Sequence, residues 1–245
     1  MKPSTPVVPY ENMSLNKKGQ IALMFNNIAS SYDRLNHLLS LGIDRYWRWY
    51  GIRQLKDLRP QIVLDVATGT ADLAIAAARQ LKPSLIVGTD ISEQMLVHGR
   101  EKIKHLQLDK IITLQLGDAE NLGFHDNKFD AITVAFGVRN FENLHKGVSE
   151  LFRVLRPKGR LMILEFSKPQ LPIVKQVYQF YFTHILPRVG KLISNDSSAY
   201  TYLPESVQAF PEREAFVKIL LQNGFKTATC IPLTFGICSV YIADK

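Results

Sequence analysis

Ile62-Val63-Leu64-Asp65-Val66-Ala67-Thr68-Gly69-Thr70, followed by the alanine-rich run from Ala71 to Leu81, reads as a buried strand, a tight turn and a helix in immediate succession. Residues 62–66 are apolar or β-branched apart from one acid, the signature of a strand covered on both faces. The unit then recurs. Ser84 to Asp90 is a second strand ending on an acid, and Ser92 is placed to cap a helix from Glu93 to about His105. Ile111 to Leu116 is a third strand with Gly117-Asp118 at its end, and Phe129 to Ala135 a fourth, running into Phe136-Gly137-Val138-Arg139-Asn140. A helix from His145 to Leu155 stops at a Pro157-Lys158-Gly159 turn before a fifth strand, Arg160 to Phe166.

Short strands alternating with helices imply an α/β fold with a mostly parallel sheet and right-handed crossovers. Thr227 to Cys230 and Gly236 to Ile242, after a helix from Arg213 to Gln222, predict a closing antiparallel hairpin and bring the strand count to seven. Residues 13–60 read as an N-terminal helical extension, and residues 171–193 as an aromatic helical stretch.

A chain of 245 residues, 46% hydrophobic, can bury one sizeable core, so one domain is expected. The first twelve residues carry Pro3, Pro6 and Pro9 and no apolar h-region, which predicts a flexible arm and a cytoplasmic protein. No apolar run approaches the roughly 20 residues of a membrane-spanning helix. Two cysteines and six scattered histidines lack metal-ligand spacing, so no metal is expected. The net charge of +8 could attract nucleic acid, anionic lipid or an acidic partner. Basic residues are interleaved with acidic ones, as in Arg100-Glu101-Lys102, which argues for solvated helix faces and against a nucleic-acid partner.

In open α/β sheets ligands bind beyond the carboxyl ends of the strands, where Gly69, Asp90 and Asp118 converge. Gly69 allows a tight turn beneath a ligand, and Thr70 offers a hydroxyl and an amide near a helix N-terminus, suited to a carboxylate. Asp90 lies about twenty residues beyond the turn, the separation at which an acid can accept hydrogen bonds from both ribose hydroxyls of a nucleoside. Asp118, with Ala119 beside it, can take an adenine amino group. Ala67, Gly69 and Ala71 stand where a dinucleotide fingerprint has three glycines, which weighs against a nicotinamide enzyme. Each residue also has a bland reading: an ordinary turn, a helix-adjacent acid, an Asx turn.

Leu64-Asp65-Val66-Ala67-Thr68-Gly69-Thr70 and Val87-Gly88-Thr89-Asp90 resemble the first two motifs of the Rossmann-like class I methyltransferases. Phe25 to Asn36, Phe136 to Asn140, Tyr202 to Val207, and Arg153 to Arg160 with Leu164-Glu165-Phe166-Ser167 resemble, over almost the whole chain, the ubiquinone/menaquinone biosynthesis methyltransferases. The resemblance implies S-adenosyl-L-methionine as cofactor, with Asp65, Gly69, Thr70, Asp90, Asp118 and Ala119 in its site. It implies a methyltransferase domain over 13–245, made of a helical cap (13–60), a cofactor-binding core (61–170), and a substrate lid with closing hairpin (171–245).

The implied reaction is methyl transfer to a ring carbon beside a hydroxyl of a reduced isoprenoid quinol, demethylmenaquinol first and the benzoquinol precursor of ubiquinone second. Arg139 with Asn140 would stabilise the developing phenolate, and Tyr32 or a water would relay the proton. The competing expectation for Arg139 is a salt bridge to Glu142 or Glu150, and for Tyr32 plain packing. Family members often carry His where Asp44 stands, so Asp44 is kept out of the catalytic set. Tyr202 to Val207 are expected to form a turn around Pro204 and Glu205 that closes over substrate. Val174, Val177, Tyr178, Tyr181, Phe182 and Ile185 predict an apolar helical face near Lys175, Arg188 and Lys191. Such a face suits a greasy lid with peripheral membrane contact, or equally plain core packing or a homodimer interface. Methylation of another phenol or of RNA, and a non-catalytic cofactor-binding scaffold, are the remaining alternatives.

Overall fold

The computed structural model describes residues 7–10, 13–181, 184, 196 and 198–245, the side chains of residues 35, 38, 39 and 200 excepted. Phe182, Ile185, Arg188 and Lys191 of the expected apolar lid, and most of the expected N-terminal arm, lie outside the described residues.

Two helices, α1 (Lys17–Leu39) and α2 (Ile43–Arg53), precede the sheet and are joined through Gly42 in the left-handed region at φ 77°. Five strands follow with their helices: β1 (Ile62–Val66), α3 (Asp72–Leu81), β2 (Leu85–Asp90), α4 (Glu93–His105), β3 (Ile112–Leu116), β4 (Phe129–Ala135), α5 (Leu144–Val154) and β5 (Leu155–Phe166). Then come α6 (Pro172–Phe180), α7 (Ser198–Ala209), α8 (Glu214–Gln222), β6 (Thr227–Leu233) and β7 (Cys238–Asp244). The seven strands lie in the order β3-β2-β1-β4-β5-β7-β6. β1 to β5 are parallel, while β7 runs antiparallel to both β5 and β6.

Residues alternate between two cores as a pleated strand requires: Val63 and Ala131 join the layer of Trp47, Leu73 and Ile86, while Leu64 and Ile132 join that of Val148, Leu151 and Phe216. β1 sits between β2 and β4, so strand order reverses there and a crevice opens at the carboxyl ends of these strands. A third cluster packs Ile21, Met24 and Ile28 of α1 against Met95 of α4 and Tyr202 of α7, which lays α1 across that crevice.

Two expectations are corrected. Tyr202 to Val207 are not a turn but the middle of α7, with Pro204 inside the helix. The proline forfeits one N–H, but burial of Ala199, Tyr202, Ser206 and Val207 at helical spacing outweighs that loss. Pro157-Lys158-Gly159 does not separate a helix from a later strand, because β5 already begins at Leu155. The register jumps from Phe129↔Leu155 to Ala131↔Arg160, and the excursion is held by Lys158 N–H donating to Lys245 O (3.0 Å) and Lys245 N–H to Gly159 O (3.1 Å).

Candidate active site

The turn after β1 runs through three left-handed residues, Ala67 (φ 53°), Gly69 (φ 54°) and Ala71 (φ 68°). Glycine is needed at 69 for conformation alone, since nothing lies within 4 Å of where its Cβ would stand. The two alanines hold the same backbone region at a cost of roughly 1–2 kcal/mol each. The Gly69 N–H donates to Asp90 Oδ2 (2.8 Å), and the Ser92 N–H donates to Asp90 Oδ1 (2.9 Å). Burial pushes the Asp90 carboxyl up, against the pull of these backbone donors.

Gly69, Asp90, Asp118 and Ala119 line one cavity of about 80 Å³. Thr89 lines it too, and its buried Oγ1 has no partner among the described residues. Across the cavity stands Lys18 of α1, paired with Asp118 Oδ2 at 2.6 Å and Glu120 Oε2 at 3.3 Å. Lys18 carried no sequence signal, because its role depends on where α1 docks. Asp118 also forms the anticipated Asx turn, accepting from the Glu120 N–H at 2.9 Å.

Asp65 and Thr70 are placed behind the turn and do not line that cavity. Asp65 accepts hydrogen bonds from the Thr68 and Thr133 hydroxyls, both at 2.6 Å, and burial, helped by nearby Asp90, pushes its carboxyl up to about 6. Thr70 donates to Asp33 of α1 at 2.5 Å and accepts from Lys102 at 3.2 Å.

A second, larger cavity of about 350 Å³ adjoins the first and shares Phe25, Tyr32 and Phe136 with it. Its lining is mostly apolar: Met24, Ile28, Trp47 and Phe166, with Val174, Val177 and Tyr181 from α6 and its end. Phe136 packs on Phe166 (ring centroids 4.5 Å apart) and on Trp47 (6.2 Å). Phe136 also holds φ at 56°, a strained conformation for a bulky residue, at the point where β4 ends between the two cavities.

That strained turn presents Arg139 to the larger cavity and Asn140 to the smaller. The Arg139 guanidinium donates to Glu165 Oε1 at 2.8 Å and to the Phe136 carbonyl, and its backbone N–H donates to Glu165 Oε2 at 3.3 Å. Both expected ion-pair partners, Glu142 and Glu150, are thereby corrected to Glu165, whose position on β5 only the parallel β4–β5 pairing brings alongside. Glu165 is fully buried and its carboxyl is pushed up by that burial, with Arg139 pulling the other way. The Arg139 Nε is buried with no partner among the described residues.

Tyr32 lines both cavities, its ring meets that of Phe25 edge-on at 5.9 Å, and burial raises its phenol above the ordinary range. Asn140 accepts from the Tyr202 hydroxyl at 3.2 Å, which ties α7 to the strained turn. The site thus joins a smaller crevice that carries Asp90 and Asp118 to an apolar chamber through one arginine-bearing turn.

The ubiE/COQ5 methyltransferase family profile matches residues 13–245. The chain is 49% identical to the demethylmenaquinone methyltransferase of Bacteroides fragilis, covering 99% of each chain. It is 46% identical to the ubiquinone/menaquinone biosynthesis C-methyltransferase UbiE of Citrifermentans bemidjiense, covering 95% of this chain and 99% of that one. Among solved structures it resembles a putative S-adenosyl-L-methionine-dependent methyltransferase from Methanococcus maripaludis, with TM-score 0.62 at 20% identity over 96% of both chains, a likeness of fold.

Proposed function

The chain belongs to the ubiE/COQ5 methyltransferase family, and from that premise we propose that it methylates a ring carbon of demethylmenaquinol at the junction of its two cavities. The observation that carries this reading is Arg139, whose guanidinium, held by Glu165, stands in the wall of an apolar chamber next to the nucleoside crevice. S-adenosyl-L-methionine supplies an electrophilic methyl group on a sulfonium. The residues present fit it: Asp90 has acceptor capacity for two ribose hydroxyls, Asp118 and Ala119 flank the place for an adenine, and Gly69 keeps the turn free of a side chain. Asp65 and Thr70 serve as positioning residues that shape the turn from behind.

Loss of the quinol hydroxyl proton spreads negative charge onto the oxygen and the neighbouring ring carbon. That carbon would take the methyl as its bond to sulfur breaks, leaving a neutral thioether; the carbon then loses its own hydrogen as a proton to restore aromaticity and the oxyanion takes a proton back, so the net change is one methyl gained and one proton released. Arg139 holds the oxyanion in a water-poor chamber, where a fixed cation is worth far more than in water. Asn140 steadies the turn, and Tyr32, at the boundary of both cavities, lies on the route for the departing proton.

Residues 171–245 serve as substrate lid and closing hairpin, residues 13–60 as cap, and the chamber mouth as the point where the tail leaves toward a membrane surface. No helix among the described residues is long and apolar enough to cross a membrane. The reading is tested with radiolabelled S-adenosyl-L-methionine and chemically reduced demethylmenaquinol under anaerobic conditions. Arg139→Ala is expected to lower kcat about 10²–10³-fold while cofactor affinity stays within twofold. Cofactor binding without any transfer by the wild type would reject the quinol as acceptor.

A further inference from the structure

The wall of the apolar chamber is charged along one stretch. Asp44 and Arg48, one turn apart on α2, both line the chamber and are buried, at 3% and 9% exposure. Burying charges is costly unless the geometry is fully braced, and here it is. Arg48 pairs with Asp44 Oδ2, His37 Nδ1 lies 2.8 Å from the same oxygen, and the Ser40 hydroxyl donates to Asp44 Oδ1 at 2.6 Å. Behind them Asp72 faces both His37 (3.6 Å) and Arg48 (3.5 Å), and Lys102 joins Asp72 (2.8 Å) to Asp33 (2.5 Å). Burial works against ionisation of Asp44, but Ser40, Arg48 and His37 together outweigh it and hold the carboxyl below its ordinary range. Among the described residues Oδ1 has a single hydrogen bond, so it has acceptor capacity left.

The chamber wall therefore offers fixed polar groups of both kinds, the cations Arg139 and Arg48 and the carboxylate Asp44. Arg139 only donates, and so accommodates a phenolate or a quinone carbonyl alike; Asp44 only accepts. A quinol hydroxyl can donate to a carboxylate, whereas a quinone carbonyl turns lone pairs toward it. We propose that Asp44 determines specificity for the reduced ring, by accepting the hydroxyl para to the one that Arg139 holds. This rests on the reading of the chamber as a quinol site. A buried acceptor left without its donor is the kind of mismatch by which sites reject near-isosteric ligands most strongly.

The test uses the full chain saturated with S-adenosyl-L-homocysteine, so that no turnover occurs, and a short-tailed naphthoquinone in its oxidised and anaerobically reduced forms, followed by tryptophan fluorescence, to which Trp47 in the chamber wall contributes. The wild type is expected to bind the quinol at least tenfold more tightly than the quinone. In Asp44→Asn, whose amide can donate to a carbonyl, quinol binding weakens, quinone binding strengthens, and the preference falls at least tenfold. Equal weakening of both forms, or an unchanged ratio, overturns the proposal. Should Asp44→Asn fail to fold, the wild type decides: a para-methoxy analogue, acceptor-only at that position, is expected to bind at least tenfold more weakly than the diol, and equal binding overturns the assignment. Methyl transfer to the quinol without any redox preference sinks this proposal alone, whereas a preference without transfer leaves it standing and sinks the reaction.

Discussion

Asp65 shows how far a residue's chemistry depends on what closes around it. Its sequence context marks it as an acid inside a buried strand, and the structure seals it completely, with two threonine hydroxyls as its donors. A carboxyl raised from an ordinary 3.8 to about 6 binds its proton more tightly in the folded chain than in the unfolded one. Its contribution is thus fully present below pH 3.8 and is lost as pH rises through about 6, a change on the order of 3 kcal/mol. Urea titrations of wild type and Asp65→Asn at pH 4 and pH 7 are expected to differ accordingly, the variant losing less stability across that interval. An identical pH slope would mean that Asp65 is ionised at little cost. Asp90 and Asp118 were legible as strand-end acids because strand length and polarity are local; Asp44 was not, because its neighbours Arg48 and Ser40 are near in sequence but its chamber is built from α1, α6, α7 and β5.

The two loops that make the site are packed directly on each other. A Cβ at Gly137 would stand 2.5 Å from the Ala67 Cβ and 3.3 Å from Val134 Cγ1, so the arginine-bearing turn leans on the left-handed Ala67 of the cofactor turn. Gly137→Ala has to displace Ala67, and overpacking of this kind costs about 1–3 kcal/mol. Affinity for S-adenosyl-L-methionine, measured by calorimetry, is expected to fall roughly tenfold, since about 1.4 kcal/mol corresponds to a factor of ten. Unchanged affinity would show that the turns move independently. At this scale strand and helix positions followed from periodicity and capping: Ser92 does cap α4, accepting from the Met95 N–H at 3.3 Å, and β4 spans the expected residues. Pro204 misled because a helix-breaking signal was weighed without the burial that offsets it.

The molecule as a whole combines a net charge of +8 with several exposed apolar side chains. Leu41 (84% exposed), Ile173 (78%), Val177 (64%), Phe180 (59%) and Phe235 (70%) are large apolar side chains left in contact with solvent. Leu41 and Val177 also line the acceptor chamber, so exposed apolar surface continues into its mouth. An apolar rim on a cationic protein fits the surface of an anionic bilayer. Flotation with phosphatidylglycerol-containing vesicles is expected to carry the wild type upward, less so at high salt, and Ile173→Glu with Phe180→Glu to leave most of the protein at the bottom. Failure of the wild type to float, or flotation unchanged in the double variant, would eliminate membrane docking by this face and favour a contact between copies of the chain.

What the sequence by itself determined is the α/β architecture, the strand-end placement of Gly69, Asp90, Asp118, Arg139 and Asn140, and the resemblance that led to the family, because strand and helix periodicities and turn residues act over a few positions. The tertiary structure decided the partners. It placed Glu165 against Arg139, Lys18 against Asp118, and Asp44 with Arg48 in the chamber wall. The first two pairings arise from the β4–β5 register and from the docking of α1 over the crevice, contacts 26 and 100 residues apart that are set by how buried surfaces fit and that no local pattern records, whereas Asp44 and Arg48 are neighbours on α2 whose chamber the other elements complete.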